Sequence, residues 1–324
     1  MNASKNPVLV GIIAGLATAI LMAAATYASF LSIALTIAAI TAIFIAGLGF
    51  GTTSCLIAIA VAGLSTAVLY SNPMSGIGMA LIVLPAALMS YLANLSRPAD
   101  ELGGPDTSMA WFPLSDILLA GAVMTALGTI TTLLLNSDMD TLYGLIADMV
   151  GQMLSEVQPN VPFTADTKAQ IVSFLQVMFP LLQGMQMMIA LFAGFYFAMR
   201  VLTAMGRIAR PREDIRSSLR MNRLSVAVFL AGIALMFAGD RLEVIGAGFA
   251  GAVAGGFLLS GFALLHNLLR DKSWRLPGLV LAYLLTLMVP VIPMLLIIAG
   301  GLANPRRPIA LTPNKPNQNP ANQN

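Results

Sequence analysis

Residues 6–96 read NPVLVGIIAGLATAILMAAATYASFLSIALTIAAITAIFIAGLGFGTTSCLIAIAVAGLSTAVLYSNPMSGIGMALIVLPAALMSYLANLS, without a single Asp, Glu, Lys, Arg or His. A surface that faces water needs charged and polar cover, so a stretch of this length without charge indicates lipid as its solvent. The whole chain of 324 residues agrees, since 58% of it is hydrophobic, 10% is charged and its mean hydropathy is +0.85. Soluble domains carry roughly 25% charged residues. We expect an all-α protein that crosses a bilayer.

The spacing of apolar segments predicts a polytopic transmembrane helical bundle of about nine spans, within a range of about eight to ten, in one domain over residues 1–302. A spanning helix needs about 20 apolar residues, because open backbone cannot be hydrogen-bonded in hydrocarbon. The predicted spans lie near residues 8–28, 31–48, 52–70, 76–95, 114–135, 178–200, 224–238, 243–267 and 277–300. The seventh is short, and Pro290 and Pro293 predict a bend in the ninth.

Two segments differ from these spans. Between 136 and 177 lies an amphipathic outer segment, in which apolar residues from Leu142 to Val157 recur at helical spacing opposite polar ones. Such a helix is too polar to span and suits a membrane surface or the flank of other helices. Residues 303–324 are rich in Pro and Asn, which predicts a disordered tail.

Basic residues predict the orientation of the chain. Residues 200–223 hold seven arginines against Glu213 and Asp214, and loops of this kind lie in the cytoplasm. We therefore expect a protein of the bacterial inner (cytoplasmic) membrane with a cytoplasmic N-terminus. Nine spans then place the basic tail, with Arg306 and Arg307, on the outer side; either the tail is exported despite its charge, or one span is miscounted.

The sequence offers little for catalysis, so we expect no enzyme, no metal and no cofactor. His266 is the one histidine, and Ser260 lies six residues away on a different helical face. Cys55 is the one cysteine, in an apolar stretch. Four charged residues, Asp116, Asp240, Arg241 and Glu243, fall at span ends. This placement disfavours an ion-coupled pump with a buried carboxylate relay.

Two patterns concern assembly instead. Small residues recur every four positions at Gly11, Gly15, Ala19 and Ala23, and again at Gly248, Ala252 and Gly256. Such stripes let helices approach closely, either within the chain or against a partner subunit. Arg212, Arg216, Arg220 and Arg223 share one face if their loop is helical. This cytoplasmic basic face could orient the chain and contact anionic lipid, or dock a partner; nothing favours nucleic acid.

The apolar first block, the arginine-rich loop and the stretch from Gly261 to Pro277 resemble the YybS-like bacterial membrane proteins, a family of unknown function. That family is distantly similar to the substrate-capture subunits of energy-coupling-factor vitamin transporters, which usually have fewer spans. The resemblance implies that the stripe at Gly11, Gly15, Ala19 and Ala23 docks a transmembrane partner. We expect a non-catalytic transport-related subunit for a small solute. The alternative is a membrane scaffold in cell-envelope biogenesis or division.

Overall fold

The structure, a computed structural model, describes residues 6–28, 30–135, 139–157, 162–289, 291–302 and 309–313. Within these ranges the chain forms helices and one small sheet. The helices are α1 Pro7–Tyr27, α2 Ser32–Phe50, α3 Thr52–Leu69, α4 Pro73–Ala93, α5 Leu114–Leu135, α6 Met139–Val157, α7 Ala165–Ala204, α8 Ile215–Ser218, α9 Leu224–Leu235, α10 Asp240–Leu268, α11 Arg275–Met288 and α12 Val291–Leu302. The strands are β1 Ser96–Pro98, β2 Ser108–Trp111 and β3 Leu311–Pro313, with a 3-10 helix at Asp100–Leu102.

Seven helices of the described residues are long and apolar enough to cross a membrane: α1 to α5, α7 and α10. The fold class is thus confirmed as an all-α polytopic bundle. Two of the nine predicted spans differ from simple crossings. Helix α9 has 12 residues, about 18 Å of rise against about 30 Å of hydrocarbon. The chain bends by 114° between α11 and α12, so the two helices do not form one straight span. Pro290, between them, lies outside the described residues.

Helix α10 is the central helix of the bundle. It packs against α5, α7, α9 and α12, and 72% of its spanning stretch is buried. Gly251 and Gly255 face backbone oxygens of α7, so the two helices approach without intervening side chains. On the other flank of α7, the ring of Phe195 meets Phe44 of α2 edge to face at 5.5 Å.

The sheet joins segments that are far apart in the chain. Strand β2 pairs with both β1 and β3 in antiparallel register, with Arg97 opposite Ala110 and Met109 opposite Thr312. The indole Nε1 of Trp111 donates a hydrogen bond to the hydroxyl oxygen of Thr312 at 2.9 Å. The prediction of a disordered tail over 303–324 is therefore wrong for β3, because backbone pairing orders it; residues 303–308 and 314–324 lie outside the described residues.

This pairing fixes the side on which β3 lies. Strands β1 and β2 connect α4 to α5, and the side chain of Arg210 in the arginine-rich loop donates to the backbone oxygens of Ala93 and Phe112. The connection 94–113, the loop 205–223 and β3 therefore share one side of the bundle, here called the arginine face. The nine-span map had put the chain after residue 300 on the opposite side. The pairing of β3 with β2 contradicts that placement, and the 114° bend between α11 and α12 is that of a broken span or a re-entrant pair instead of one straight crossing.

The beginning of α1 also lies on the arginine face. Gly11 packs beside Ser54 and Gly15 beside Ala58, so α1 runs parallel to α3. The end of α2, just before α3, accepts a hydrogen bond at the Gly47 oxygen from the Asn94 side chain at 3.2 Å. The starts of α1 and α3 and the ends of α2 and α4 are therefore together on this side.

The amphipathic segment forms α6 on the opposite side, between the end of α5 and the start of α7. Its inner side buries Tyr143, whose ring meets Phe179 edge to face at 5.9 Å, and Ala147. Asp148 makes an exposed ion pair with Lys168 at 2.6 Å. An exposed apolar stripe remains, formed by Leu145, Met149, Met153 and Val157. A helix with this pattern suits the boundary between headgroups and acyl chains.

Cysteine labelling can test whether the arginine-rich loop and β3 lie on one side of the membrane and α6 on the other. Cys55 is 1% exposed and should not react, so single cysteines report cleanly. We expect Ser217→Cys and Ile309→Cys to react with a membrane-impermeant maleimide from one side of the membrane, and Gln152→Cys from the other. With the arginine face in the cytoplasm, intact cells should label Gln152→Cys alone. Labelling of Ile309→Cys together with Gln152→Cys would contradict the placement of β3.

Candidate binding cleft on the arginine face

A cleft of about 660 Å³ opens on the arginine face between α7, α10, α11 and the loop around α8. This volume falls in the range of small-molecule sites, roughly 300–1,000 Å³. The walls of the cleft are mostly apolar and come from Phe192, Ile215, Leu219, Leu259, Phe262 and Ala263. Its polar groups are Tyr196, Arg212, Glu213, Asp214, Arg216, His266 and Tyr283.

One turn of helix positions the two arginines of the cleft. The carboxylate of Asp214 accepts from the backbone N–H of Arg216 at 3.3 Å and so caps α8. This cap places Arg216, half-buried, in the first turn of α8, while Arg212 lies exposed just before it. The Asp214 side chain is thereby engaged with the start of its own helix, where it also accepts from the Ser217 hydroxyl at 3.4 Å.

The charge of Glu213 is compensated by a buried arginine. Arg210 donates to Glu213 Oε1 at 2.6 Å, and the two side chains are 1% and 12% exposed. Arg210 also donates to the Phe112 oxygen at 2.9 Å and the Ala93 oxygen at 3.3 Å, which ties the loop to α4 and to the start of α5. Of the two acidic groups in the cleft, Glu213 is thus paired with a cation from outside it, and the arginines give the cleft a basic character.

On the far side of the cleft His266 and Tyr283 form a pair. The imidazole Nε2 and the phenol oxygen are 2.9 Å apart, and the Tyr283 ring stacks on Phe262 with centroids 4.7 Å apart. Tyr196, on α7, accepts from Arg200 at 3.3 Å. Sequence reasoning had singled out His266 but neither tyrosine. No local pattern marks Tyr283, because its link to His266 depends on how α11 folds back against α10.

The predicted single basic face does not form. The helix in this loop covers Ile215–Ser218 alone, because Asp214 caps its start and Leu219 turns to extended backbone at its end. Arg212 and Arg216 both line the cleft, whereas Arg220 is buried and donates to the Leu219 oxygen at 2.7 Å. Burial lowers the pKa of the Arg220 guanidinium. Arg223 is exposed and directly precedes α9.

The small-residue stripes are occupied by the chain itself. A Cβ on Gly15 would lie 2.5 Å from the Ala58 oxygen, and one on Gly11 2.7 Å from the Ser54 oxygen, both on α3. Further along the same helix Ala19 is 5% exposed and Ala23 is half-buried.

On α10 the same holds. A Cβ on Gly248 would meet Ile130 of α5, one on Gly256 would meet Met221, and Ala252 is fully buried. Of the two readings of these stripes, packing within the chain is the one the contacts support, and a partner would find the docking surfaces on α1 already covered.

The remaining candidates stay apart. The hydroxyl of Ser260 is buried and donates to the Gly256 oxygen at 3.0 Å, away from His266. Asp116 accepts from the amide of Asn222, which links the start of α5 to the arginine-rich loop. Among the described residues no cluster of three or more His, Cys, Asp or Glu could hold a metal ion. The side chain of Asp240 lies outside the described part of the chain.

Comparison with known proteins identifies a family, whose description names no activity. The chain matches no curated protein and no solved structure. Residues 16–302 match the model of a family described as "Predicted membrane protein (DUF2232)". This match covers all seven candidate spans apart from the start of α1, together with every residue of the cleft. The chain therefore belongs to the DUF2232 family of membrane proteins.

Proposed function

We propose that this protein is a non-catalytic, transport-related subunit of a bacterial inner membrane and that it handles a small solute. The observation that carries the proposal is the cleft of about 660 Å³ on the arginine face. A mostly apolar cavity with a few convergent polar groups is the usual form of a small-molecule site. Following the positive-inside rule, we propose that this face, with the N-terminus, lies in the cytoplasm.

The polar groups of the cleft suit binding better than catalysis. Nucleophilic catalysis needs a hydroxyl or thiol next to a base that is itself oriented by a third group. Here His266 pairs with the phenol of Tyr283, while the buried Ser260 bonds to its own helix. A guanidinium such as that of Arg212 or Arg216 holds an anion through a planar fork of N–H donors and offers no acceptor for a proton transfer.

A scaffold in cell-envelope biogenesis or division is the second candidate, and α6 favours it. Its exposed stripe of Leu145, Met149 and Met153 could receive an apolar surface of another membrane protein as well as lipid. This stripe lies on the side of the bundle opposite to the cleft. The two functions therefore depend on different surfaces and can be separated by mutation.

Purification in mild detergent, followed by mass spectrometry of the proteins that come with the tagged chain, distinguishes the two functions. For a transport subunit we expect ATPase and transmembrane coupling subunits in stoichiometric amounts, and these should survive Met149→Lys with Met153→Lys in α6. For a scaffold we expect envelope or division proteins, which the same double substitution should release. Absence of any ATPase from the wild-type preparation would overturn the transport proposal.

A further inference from the structure

The cleft also indicates the chemistry of what it binds. We propose that its ligand is an amphiphilic phosphate ester, with the phosphate held by Arg212 and Arg216 and the apolar part against Phe192, Leu259 and Phe262. This inference rests on the proposed function in one respect, that the cleft is the binding site. It adds the class of ligand, which a cavity volume alone does not give.

The two arginines account for the phosphate. A guanidinium presents a planar fork of N–H donors that matches phosphate oxygens, and such charge-assisted bonds are about twice as strong as neutral ones. The acidic neighbours offset these charges only in part. Glu213 is paired with the buried Arg210 at 2.6 Å, whereas Asp214, which caps α8, keeps its negative charge, so one net positive charge remains in the cleft.

The opposite side of the cleft supplies a further donor. When His266 Nε2 donates to the Tyr283 oxygen, 2.9 Å away, the hydroxyl hydrogen of Tyr283 is free to donate to a ligand oxygen. Stacking on Phe262 at 4.7 Å holds the phenol in place. An anion in the cleft would thus meet guanidinium groups on the α8 side and a phenol on the α11 side.

The apolar walls and the depth of the cleft account for the rest of the ligand. Phe192 lies about three turns of helix before the end of α7 at Ala204, and Leu259 about two and a half turns before the end of α10 at Leu268, so the walls reach into the membrane-spanning region. The arginines lie in the loop outside it. This arrangement follows the layers of a bilayer, in which phosphate groups lie outside the hydrocarbon, and basic pockets between cytoplasmic helix ends suit lipid headgroups.

Dodecyl phosphate is a suitable probe, because it joins one phosphate to one apolar chain. We expect calorimetric titration of the full chain in neutral maltoside detergent to show saturable binding. The double variant Arg212→Gln/Arg216→Gln should weaken it by about 100-fold, roughly tenfold for each charge-assisted contact. Arg270→Gln/Lys272→Gln is the matched control, since it removes the same charge from exposed positions outside the cleft and should leave the affinity unchanged.

A comparison of two phosphates then distinguishes a membrane lipid from a water-soluble phosphorylated solute as the source of the ligand. Weak binding of glycerol phosphate beside tight binding of dodecyl phosphate would support a membrane lipid. Equal affinities would overturn the apolar part of the proposal and point to a water-soluble phosphorylated solute. Tyr283→Phe, which deletes one hydroxyl, should weaken dodecyl phosphate binding by about tenfold even if the double arginine variant fails to fold.

Full affinity in a folded double arginine variant, or an equal loss in the Arg270→Gln/Lys272→Gln control, would overturn the proposal. Because binding is measured on the isolated chain, the result stands apart from the co-purification experiment. A chain that binds dodecyl phosphate through Arg212 and Arg216 but brings no ATPase would refute the transport role and keep the ligand assignment.

Discussion

Gly251→Ala is expected to prevent stable folding of the bundle. A Cβ at this position would press on the carbonyl oxygen of Leu181 in α7 and lie 2.7 Å and 2.8 Å from its carbonyl carbon and Cα. These are backbone atoms, so no side chain can rotate away, and α10 would have to separate from α7 along their closest contact. Overpacking of a well-packed core costs typically 1–3 kcal/mol, and a clash with backbone in the central helix should cost about 3 kcal/mol or more.

The matched control is Gly144→Ala in α6. Gly144 is also helical, but a Cβ there would meet no atom within 4 Å. Alanine should stabilise this helix by up to about 1 kcal/mol. The measurement is thermal unfolding in detergent, with the monodisperse fraction from size-exclusion chromatography. If Gly251→Ala unfolds with the wild-type midpoint, the close approach of α7 and α10 is wrong.

Arg210→Met should have the second largest effect. The side chain is 1% exposed and connects three parts of the arginine face: Glu213, the end of α4 at Ala93, and Phe112 before α5. Methionine fills similar space but leaves the buried carboxylate without its cation. Breaking one partner of a buried pair costs about 3–5 kcal/mol, mostly because the other charge stays desolvated.

A second substitution tests this cause. Glu213→Gln in the Arg210→Met background should recover part of the lost stability, because it removes the unpaired charge. Lys168→Met is the control, since Lys168 and Asp148 form a pair of the same 2.6 Å length with side chains 40% and 49% exposed. Solvent screening should limit its effect to about 1 kcal/mol or less. Equal losses for Arg210→Met and Lys168→Met would show that burial does not set the strength of these pairs.

The spans could be predicted because they depend on local composition. The predicted fifth span, 114–135, coincides with α5, and the third, 52–70, ends one residue after α3. Gly51 marks the joint before α3 with a φ of 93°, a conformation that L side chains rarely adopt. Hydropathy and the placement of glycines therefore predict most of the helices of the bundle.

The sheet and the cleft could not be predicted, because they depend on contacts between distant segments. Trp111 and Thr312 are 201 positions apart, and the residues around Trp111 give no sign of a strand partner near the C-terminus. The prediction of one basic face was wrong because the spacing of the arginines does not show where their helix begins and ends. Offsets of 0, 4, 8 and 11 describe one helical face, but a cap at Asp214 and extended backbone at Leu219 limit the helix to one turn.

The small-residue stripes lay between these cases. Their spacing predicted close helix contacts, which Gly11 and Gly15 make, but it could not identify the neighbour. A stripe that suits a partner's helix suits the chain's own α3 equally well, since both offer the same backbone surface. Which one is used depends on the arrangement of the whole bundle.

The pairing of β2 with β3 has a consequence for biogenesis. Strand β2 emerges from the ribosome about 200 residues before β3, so its outer edge and the indole N–H of Trp111 lack these partners while α5 to α12 are being made. The sheet closes when β3 arrives, after the described helices α1 to α12 have been made. A chain cut short before residue 311 would keep its helices yet display an open strand edge, which quality-control proteases and chaperones could recognise as a sign of incomplete synthesis.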